Sequence, residues 1–429
     1  MIAGKFGRPI LQLNLQAANH TKVYVNQLGE SGTTQTMLWL SPPLPPLQRG
    51  YVMSRNGGKY FEHLGEYSDL VLAANRSCKV SPKAKPGKAT QRKLLETLSF
   101  NPGPAKPQSV RTEQRWSKDG VDGELVTWSV GYGPRTEAYV LKPAGVKRPL
   151  PAVVGLHDHG GFKFYGKEKI ADGPGRAPGI IGPFRKRYYA QRAYANELAK
   201  QGYVVLVPDV FLWGSRRFDK QTLLAAGIDQ HTPKSRTRSA VMQYNELCTP
   251  HEHLVEKYCT LLGTTFAGVV NYEDRVATAY LKGRNDVKSN RIGCVGLSGG
   301  GMRSTLLQGT SNDIRAAVIV GAMTTYQDMY DHNVVCHTWM VFPSNWPKYG
   351  DWPDIAACRA PSPVMVQNDM EDPLYTTQGM RAADRRMTLH YKAVGARRNY
   401  VCKFYPGPHK FDLPMQADAF TFLDQHLQP

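Results

Sequence analysis

A serine flanked by glycines is the feature of this sequence that most directly suggests chemistry. Residues 296–300 read Gly-Leu-Ser-Gly-Gly, a G-x-S-x-G motif that follows the apolar run Ile292–Val295 and precedes a helical pattern, Met302–Gln308. In a sharp turn between strand and helix the flanking chains approach closely, which favours glycine on both sides of the serine. The start of the helix would stabilise negative charge beside Ser298. The motif predicts a nucleophile elbow; a tight glycine turn with a capping serine is the alternative.

A nucleophilic serine needs a histidine and an acid, and in a fold with such an elbow both follow the serine, the acid first. Residues 368–373, Asn-Asp-Met-Glu-Asp-Pro, come directly after a short apolar run. Asp372 has the best offset from the end of that run, while Asp369 and then Glu371 are the alternatives. The loop before the last helical pattern contains one histidine, His409, which we expect to be the general base.

An acyl-transfer reaction also needs two backbone N–H groups for the oxyanion, one of them from the residue after the nucleophile, Gly299. The second is expected from the loop 156–161, Leu-His-Asp-His-Gly-Gly. The histidines of that loop and of 251–253, His-Glu-His, could bind a metal, but 251–253 lacks the H-E-x-x-H spacing and no further ligands are identifiable. We therefore expect no metal and no cofactor, and interpret 251–253 as polar residues at a helix start.

Four residues near these loops are candidates for the wall of the substrate pocket: His157, Asp158, Trp213 and Leu297. His337 either shapes the same pocket or caps a loop, and the sequence leaves both interpretations open.

The elements that must position these residues change in character along the chain. Alternating stretches near the start predict antiparallel strands at Val110–Trp116, Glu124–Val130 and Thr136–Leu141. Continuous apolar runs follow, as in parallel strands covered on both faces, at Ala152–Leu156, Val204–Val207, Ile292–Val295, Ala316–Val320 and Val364–Val366. Helical patterns alternate with these runs, at Tyr188–Lys200, Tyr272–Lys282, Met302–Gln308, Thr376–Met387 and Met415–His426. This order predicts an α/β-hydrolase fold, a mostly parallel central sheet flanked by helices.

The chain divides, on composition, into two parts. Residues 1–107 are irregular and rich in Pro and Lys, and we interpret them as an N-terminal extension; residues 108–429 form the catalytic domain. Two insertions, 162–186 and 211–265, follow the carboxyl ends of predicted strands, which is where lids and pockets form in such sheets.

The charge and cysteine content constrain partners and compartment. A formal net charge of +19 favours anionic partners, such as an acidic substrate, but no nucleic-acid-binding motif accompanies it. Seven cysteines at wide spacings indicate neither a zinc site nor a disulfide framework. No signal peptide or membrane-length apolar run is visible, so we expect no membrane span, and a cytoplasmic location is slightly favoured over secretion after loss of a signal.

Five segments together resemble the dienelactone-hydrolase-like and acetyl xylan esterase-like branch of the α/β-hydrolases. They are LHDHGGFKFYGKEK, VVLVPDVFLWGSRR, GLSGGGMRS, PSPVMVQNDMEDPLY and YPGPHKFD. The resemblance implies a serine esterase that removes small acyl groups from sugars or similar alcohols. It also implies that His159 donates the second oxyanion hydrogen bond, although Asp158 stands where the family usually has glycine. Dienelactone hydrolases use a cysteine nucleophile, so Ser298 argues against strict membership.

Three hypotheses of function remain open at this level. The first is a carboxylic-ester hydrolase with a small-molecule or carbohydrate ester as substrate. The second keeps the triad and changes the bond to an amide, thioester or lactone. The third is a non-catalytic, basic binding protein built on a hydrolase scaffold.

Overall fold

A nine-stranded mixed sheet forms the framework of the protein in the computed structural model. The structure describes residues 59–226 and 239–428, together with the backbone of two short paired strands, β1 (Asn26–Gln27) and β2 (Thr34–Gln35). The strands of the large sheet, in chain order, are β3 (Gln108–Lys118), β4 (Val121–Ser129), β5 (Thr136–Pro143), β6 (Leu150–Leu156), β7 (Val204–Pro208), β8 (Val287–Leu297), β9 (Ile314–Val320), β10 (Val364–Asp369) and β11 (Tyr400–Tyr405).

The order of the strands is β11-β10-β9-β8-β6-β7-β5-β4-β3. The pairs from β3 to β5, and β5 with β7, are antiparallel, whereas β7, β6 and β8 to β11 are mutually parallel. The sequence pattern explains the division, because every residue of β6 and β7 is buried, as expected for strands covered on both faces. The prediction of an α/β fold with a mostly parallel sheet and an antiparallel start is confirmed.

Helices cover both faces of the sheet and form two apolar cores. Alternate residues of β6 enter different cores, Ala152 and Val154 on one side and Val153 on the other. The helices are α1 (Leu70–Ser77), α2 (Lys88–Leu98), α3 (Ile181–Tyr188), α4 (Tyr194–Lys200), α5 (Lys220–Ala225), α6 (Ala240–Leu261), α7 (Phe266–Lys282), α8 (Gly299–Thr310), α9 (Tyr326–Asp331), α10 (Trp352–Ala357), α11 (Thr377–Ala393) and α12 (Leu413–Leu427). Among the described residues, no helix has the length and apolarity needed to cross a bilayer.

The single helix predicted for Tyr188–Lys200 is wrong. The segment is divided between α3, which ends at Tyr188, and α4, which begins at Tyr194. Between them Ala190 and Gln191 adopt positive φ angles of 52° and 63°, a conformation that a right-handed helix cannot contain. The apolar periodicity continues across the break and therefore hides it in the sequence.

Residues 70–107 share a compact unit with the rest of the chain to its end. Helix α2 packs against α7 and α8, and its Leu94 is fully buried. The hydroxyls of Thr264 and Thr265 donate to the carbonyl of Leu98 at 3.3 and 3.2 Å, which satisfies the end of α2. The predicted extension 1–107 lies outside the described residues over most of 1–58, as does 227–238 of the predicted insertion 211–265.

A buried ion pair joins the two helices that pack beneath the predicted elbow. Arg303 of α8 donates through Nε and Nη2 to the two carboxylate oxygens of Asp274 in α7, at 3.0 and 2.6 Å, and through Nη1 to the carbonyl of His157 at 3.2 Å. Both side chains are almost completely buried. The pair therefore connects α7, α8 and the loop after β6 at one point.

Loss of one partner of this pair should cost far more than loss of an exposed pair. We expect Arg303→Met to lower the free energy of unfolding by about 3–5 kcal/mol, because it leaves the Asp274 carboxylate buried without a counter-ion. Lys282→Met breaks the exposed ion pair between Lys282 of α7 and Asp313, at 2.7 Å. It should lower the free energy of unfolding by less than about 1 kcal/mol. Urea denaturation of both variants is the measurement, and equal losses would contradict this interpretation.

Candidate active site

Ser298 stands in a strained turn between β8 and α8. Its φ and ψ are 59° and −121°, and its N–H donates to the carbonyl of Val320 at 2.8 Å. A side chain on Gly296 would approach the carbonyl carbon of Gly300 to 2.5 Å, and one on Gly300 would overlap the carbonyl oxygen of Leu156. The glycines are therefore required by close backbone contacts, and they allow Ser298 to be the most exposed residue of the turn.

His409 and Asp372 form a hydrogen-bonded pair next to this turn. Nδ1 of His409 donates to Oδ2 of Asp372 at 2.6 Å, and Oδ1 of Asp372 accepts the N–H of Leu374 at 2.8 Å. The imidazole lies against Gly321, where an added Cβ would be 2.9 Å from Cε1 of His409 and 3.2 Å from Cδ1 of Leu297. The ring is thus close to the residue that precedes Ser298.

The electrostatics of this pair favour a base. Burial lowers the pKa of His409, but the carboxylate of Asp372, with smaller contributions from Asp369 and Asp158, outweighs burial and raises it above 6.5. Nε2 of His409 is buried, and it neither accepts nor donates a hydrogen bond within the described part of the chain. This nitrogen is therefore available to a hydroxyl or a substrate.

Asp369, the alternative acid, lies at the same place in a different role. Its Oδ2 accepts the N–H of Lys410 at 3.0 Å, so it holds the chain directly after His409. Burial raises the pKa of Asp369 to about 7, against smaller opposing effects of Lys410 and His409. The third candidate, Glu371, is exposed and accepts only the N–H of Gly407, at 3.2 Å, among its bonds to described residues.

Asp369, Asp372 and His409 place one ligand atom each within 4.8 Å of the others, a spacing that a metal ion could also use. Nδ1 of His409 and Oδ2 of Asp372 share a hydrogen bond, and Oδ2 of Asp369 accepts the Lys410 N–H. Oδ1 of Asp369 and Nε2 of His409 are buried without a hydrogen-bond partner among the described residues. Hydrogen bonds within the protein therefore account for part of this donor set.

Gly299 and His159, the two predicted oxyanion donors, lie side by side. A Cβ on Gly299 would be 2.6 Å from the backbone nitrogen of His159. Gly299 is the first residue of α8, whose first N–H groups have no acceptor inside the helix. Among the described residues neither of the two amides donates a hydrogen bond. Two adjacent N–H groups without an acceptor are the arrangement that binds anions in proteins.

Buried polar groups hold the loop that carries His159. Nζ of Lys169, fully buried, donates to the carbonyls of Asp158 and His159 at 2.6 and 3.2 Å. The hydroxyl of Tyr189 donates to Oδ1 of Asp158 at 2.5 Å. Asp158, proposed from the sequence as a pocket residue, directs its carboxylate to these two partners beneath the loop.

The other three pocket candidates are also almost fully buried. His157 donates from Nδ1 to the carbonyl of Asp158 at 3.1 Å, and burial together with Arg303 keeps its pKa well below 6.5. Trp213 donates from Nε1 to the carbonyl of His159 at 3.2 Å, and Leu297 lies against Gly321, as His409 does. Because His157, Trp213 and Leu297 are buried, they contact the loops that carry the candidate site residues and expose almost no surface to a ligand.

Two residues near Asp372 were left open or not singled out in the sequence, His337 and Tyr375. His337 stacks on Tyr375 at a centroid distance of 4.9 Å, and burial lowers the pKa of His337 to about 4 despite the nearby Asp372. The Nε2 of His337 and the hydroxyl of Tyr375 are buried and lack a hydrogen-bond partner among the described residues. No motif marks Tyr375 in the sequence.

The interpretation of 251–253 as a helix start is wrong, because α6 begins at Ala240 and these residues lie in its interior. Glu252 is buried there and accepts hydrogen bonds from His159 and Lys163. The sequence does not indicate this contact, because Glu252 lies about 90 residues from both His159 and Lys163.

A wide groove at the opposite end of the sheet lies near the start of β8 and β9 and is lined in part by Asn290, Arg315 and Arg359. None of the candidate site residues Ser298, Asp372 and His409 lines it. The width of this groove therefore does not identify the candidate active site.

Comparison with known proteins places this geometry in context. No family model matches the chain. A curated protein of Bacillus subtilis (strain 168), "Putative hydrolase YtaP", is 22% identical over 341 residues, which are 79% of this chain and 100% of that protein.

Solved structures show the same architecture. A "putative acetyl xylan esterase" from Bacteroides fragilis matches with a TM-score of 0.59 and 19% identity, over 82% of this chain and 84% of the other. The likeness shows that this chain shares the α/β fold of that structure. A glucuronoyl esterase from Solibacter usitatus matches with a TM-score of 0.52 and 12% identity over 88% and 97% of the two chains. Acetyl Xylan Esterase 1 from a Thermoanaerobacterium species gives 0.51 and 13% over 83% and 99%.

The raised pKa of Asp369 leads to a prediction about stability and pH. In the unfolded chain its carboxyl ionises near pH 4, whereas in the folded chain burial delays ionisation to about pH 7. Ionisation therefore favours the unfolded state between these values, and the wild type should lose stability relative to Asp369→Asn as pH rises through this window. We expect the variant to melt about 2–5 °C higher at pH 8 and equally at pH 4.

Thermal unfolding followed by circular dichroism between pH 4 and 8 measures this difference. Asparagine can still accept the Lys410 N–H, so the hydrogen bond itself is conserved. A melting difference that does not change with pH would contradict the prediction.

Proposed function

We propose that the protein is a serine carboxylic-ester hydrolase whose catalytic triad is Ser298, His409 and Asp372. The observation that carries the proposal is the 2.6 Å hydrogen bond from Nδ1 of His409 to the buried carboxylate of Asp372. Nε2 of His409 has no partner among the described residues, and the ring lies near Leu297, which precedes the strained turn at Ser298. The three groups follow the carboxyl ends of β8, β10 and β11, parallel strands of one sheet in which β10 and β11 are adjacent and β9 separates β10 from β8.

The proposed mechanism follows from these positions. Oγ of Ser298 attacks the acyl carbon while Nε2 of His409 takes its proton, and Asp372 stabilises the imidazolium that forms. The N–H groups of Gly299 and His159 bind the oxyanion. The imidazolium then protonates the leaving alcohol, and the acyl group remains on Ser298. A water molecule, deprotonated by His409, then attacks the acyl carbon. The imidazolium returns the proton to Oγ of Ser298 as the bond to the acyl group breaks and the acid leaves.

For the substrate we propose an ester with a small acyl group on a sugar or a sugar-like alcohol. The acetyl xylan esterase and glucuronoyl esterase names of the structural neighbours support a carbohydrate ester. The net charge of +19 supports an acidic substrate, such as a polysaccharide that contains uronic acid. If charge assists binding, KM for such a substrate should rise with ionic strength.

Removal of the nucleophile should abolish turnover. We expect Ser298→Ala to hydrolyse p-nitrophenyl acetate at least about 10⁴-fold more slowly than the wild type. A fluorophosphonate probe should label Ser298 in the wild type only, and peptide mass spectrometry identifies the labelled residue. A folded wild type that hydrolyses no short-chain ester and takes no label would refute the proposed function.

The choice between adjacent acids is also testable. Asp372→Asn should lower kcat by about 10⁴-fold, because the amide cannot hold His409 in the required tautomer or stabilise its charge. Activity of the wild type should be lost as pH falls through the raised pKa of His409, since the protonated ring cannot accept the serine proton. In Asp372→Asn the residual activity should extend to lower pH, as the main effect that raises this pKa is gone.

The pH profile of kcat/KM for both enzymes is the measurement. Glu371→Gln, one residue away and exposed, is the matched control and should retain wild-type kcat. A larger loss in Glu371→Gln than in Asp372→Asn would contradict the assignment.

A further inference from the structure

A buried glutamate in the 211–265 insertion contacts the loop after β6. Glu252 lies inside α6 and is 5% exposed. Its Oε2 accepts from Nε2 of His159 at 3.0 Å and from Nζ of Lys163 at 2.5 Å. Its Oε1 accepts from Oγ1 of Thr338 at 2.6 Å and from the N–H of Trp339 at 3.2 Å. One carboxylate thus joins three segments of the chain.

All four partners of Glu252 donate to it, so only a full acceptor satisfies them. Burial alone would raise the pKa of Glu252, but Lys163 and His159 hold it well below its usual range, and the group is a carboxylate at neutral pH. A glutamine would present its NH₂ group either to His159 and Lys163 or to Thr338 and Trp339. In each orientation a donor would face a donor.

The contact with Glu252 completes the immobilisation of His159. Nδ1 of His159 accepts the N–H of Gly161 at 3.0 Å, which places the ring proton on Nε2, the atom that donates to Glu252. Its carbonyl accepts from Nε1 of Trp213 and from Nζ of Lys169, both at 3.2 Å. Every polar atom of His159 except its backbone nitrogen is therefore bound, and that nitrogen lies beside Gly299.

We propose that Glu252 is a positioning residue for the oxyanion hole, acting through the side chain of His159 to aim the His159 N–H at the reacting carbonyl. This inference rests on the proposed function. Thr338 and Trp339 extend the same network to the segment that carries His337, on the acid side of the site. The insertion helix thereby fixes the geometry of a group that it does not itself supply.

The test is Glu252→Gln with Glu256→Gln as its matched control. Glu256 lies one turn further along α6, is equally buried at 5%, and accepts the N–H of Phe266 at 2.8 Å without contacting the loop of His159. We expect Glu252→Gln to lower kcat for p-nitrophenyl acetate about 10–100-fold, with KM changed less than about 3-fold, because a misaimed donor weakens binding of the transition state only. Glu256→Gln should stay within about 2-fold of wild-type kcat.

Two further readouts separate positioning from loss of folding. The inhibition constant of a trifluoromethyl ketone, which forms an oxyanion on Ser298, should rise by the same factor by which kcat/KM falls. His159→Ala keeps the backbone N–H and removes the tether, so the double variant with Glu252→Gln should lose no more activity than the more impaired single variant.

Equal losses in Glu252→Gln and Glu256→Gln, a rise in KM alone, or additive losses in the double variant would overturn the proposal. Labelling of wild-type Ser298 by a fluorophosphonate is measured in parallel. Absence of that label would refute the proposed function and, with it, this role of Glu252, whereas a labelled wild type with unimpaired Glu252→Gln would refute the role alone.

Discussion

The close approach of three backbone segments is the constraint on which the rest of the site depends. The end of β8, the first turn of α8 and the carbonyl of Leu156 at the end of β6 meet where Gly296 and Gly300 leave no room for a Cβ. This contact forces Ser298 into its positive φ and sets Gly299 beside His159. The proposed nucleophile and the proposed oxyanion donors are therefore positioned by one steric condition, which only a strand–turn–helix made of glycine and a small residue satisfies.

The loop after β6 shows how irregular backbone is kept rigid inside such a fold. Loops carry polar groups that cannot pair in a ladder, so a buried loop needs partners from side chains. Here long cationic side chains provide them, Lys169 from within the loop region and Arg303 from α8, and acids neutralise each cation. These pairs mainly fix the conformation of the loop. Their net contribution to the free energy of folding is small, because removing both charges from water offsets their attraction.

Ser298 and His409 were predicted from topology. In a parallel sheet the carboxyl ends of the strands meet at one edge, so residues just after different strands are expected to lie near one another. The choice between Asp372 and Asp369 depended on the direction of two side chains three residues apart, which an offset from a strand end indicates only approximately. The break before Tyr194 and the contact of Glu252 with His159 were out of reach. The first depends on two positive φ angles with no glycine to mark them, and the second joins residues 93 positions apart.

The same network changes how the charge of +19 should be understood. Several of the cations that a composition counts are interior ones, each beside an acid, such as Lys163 with Glu252 and Arg303 with Asp274. Among the described residues, ten acids but only six lysines and arginines are buried, so burial leaves the described residues that face water more cationic than their composition. Because acids are the scarcer type, their use inside leaves the surface with a higher ratio of cations to anions than the composition suggests. A field of this sign acts on the approach of anionic ligands, whereas the neutral reacting carbonyl responds only to the N–H groups near Ser298. In the proposed reaction, attraction of an anionic substrate and stabilisation of the oxyanion would thus depend on separate sets of charges.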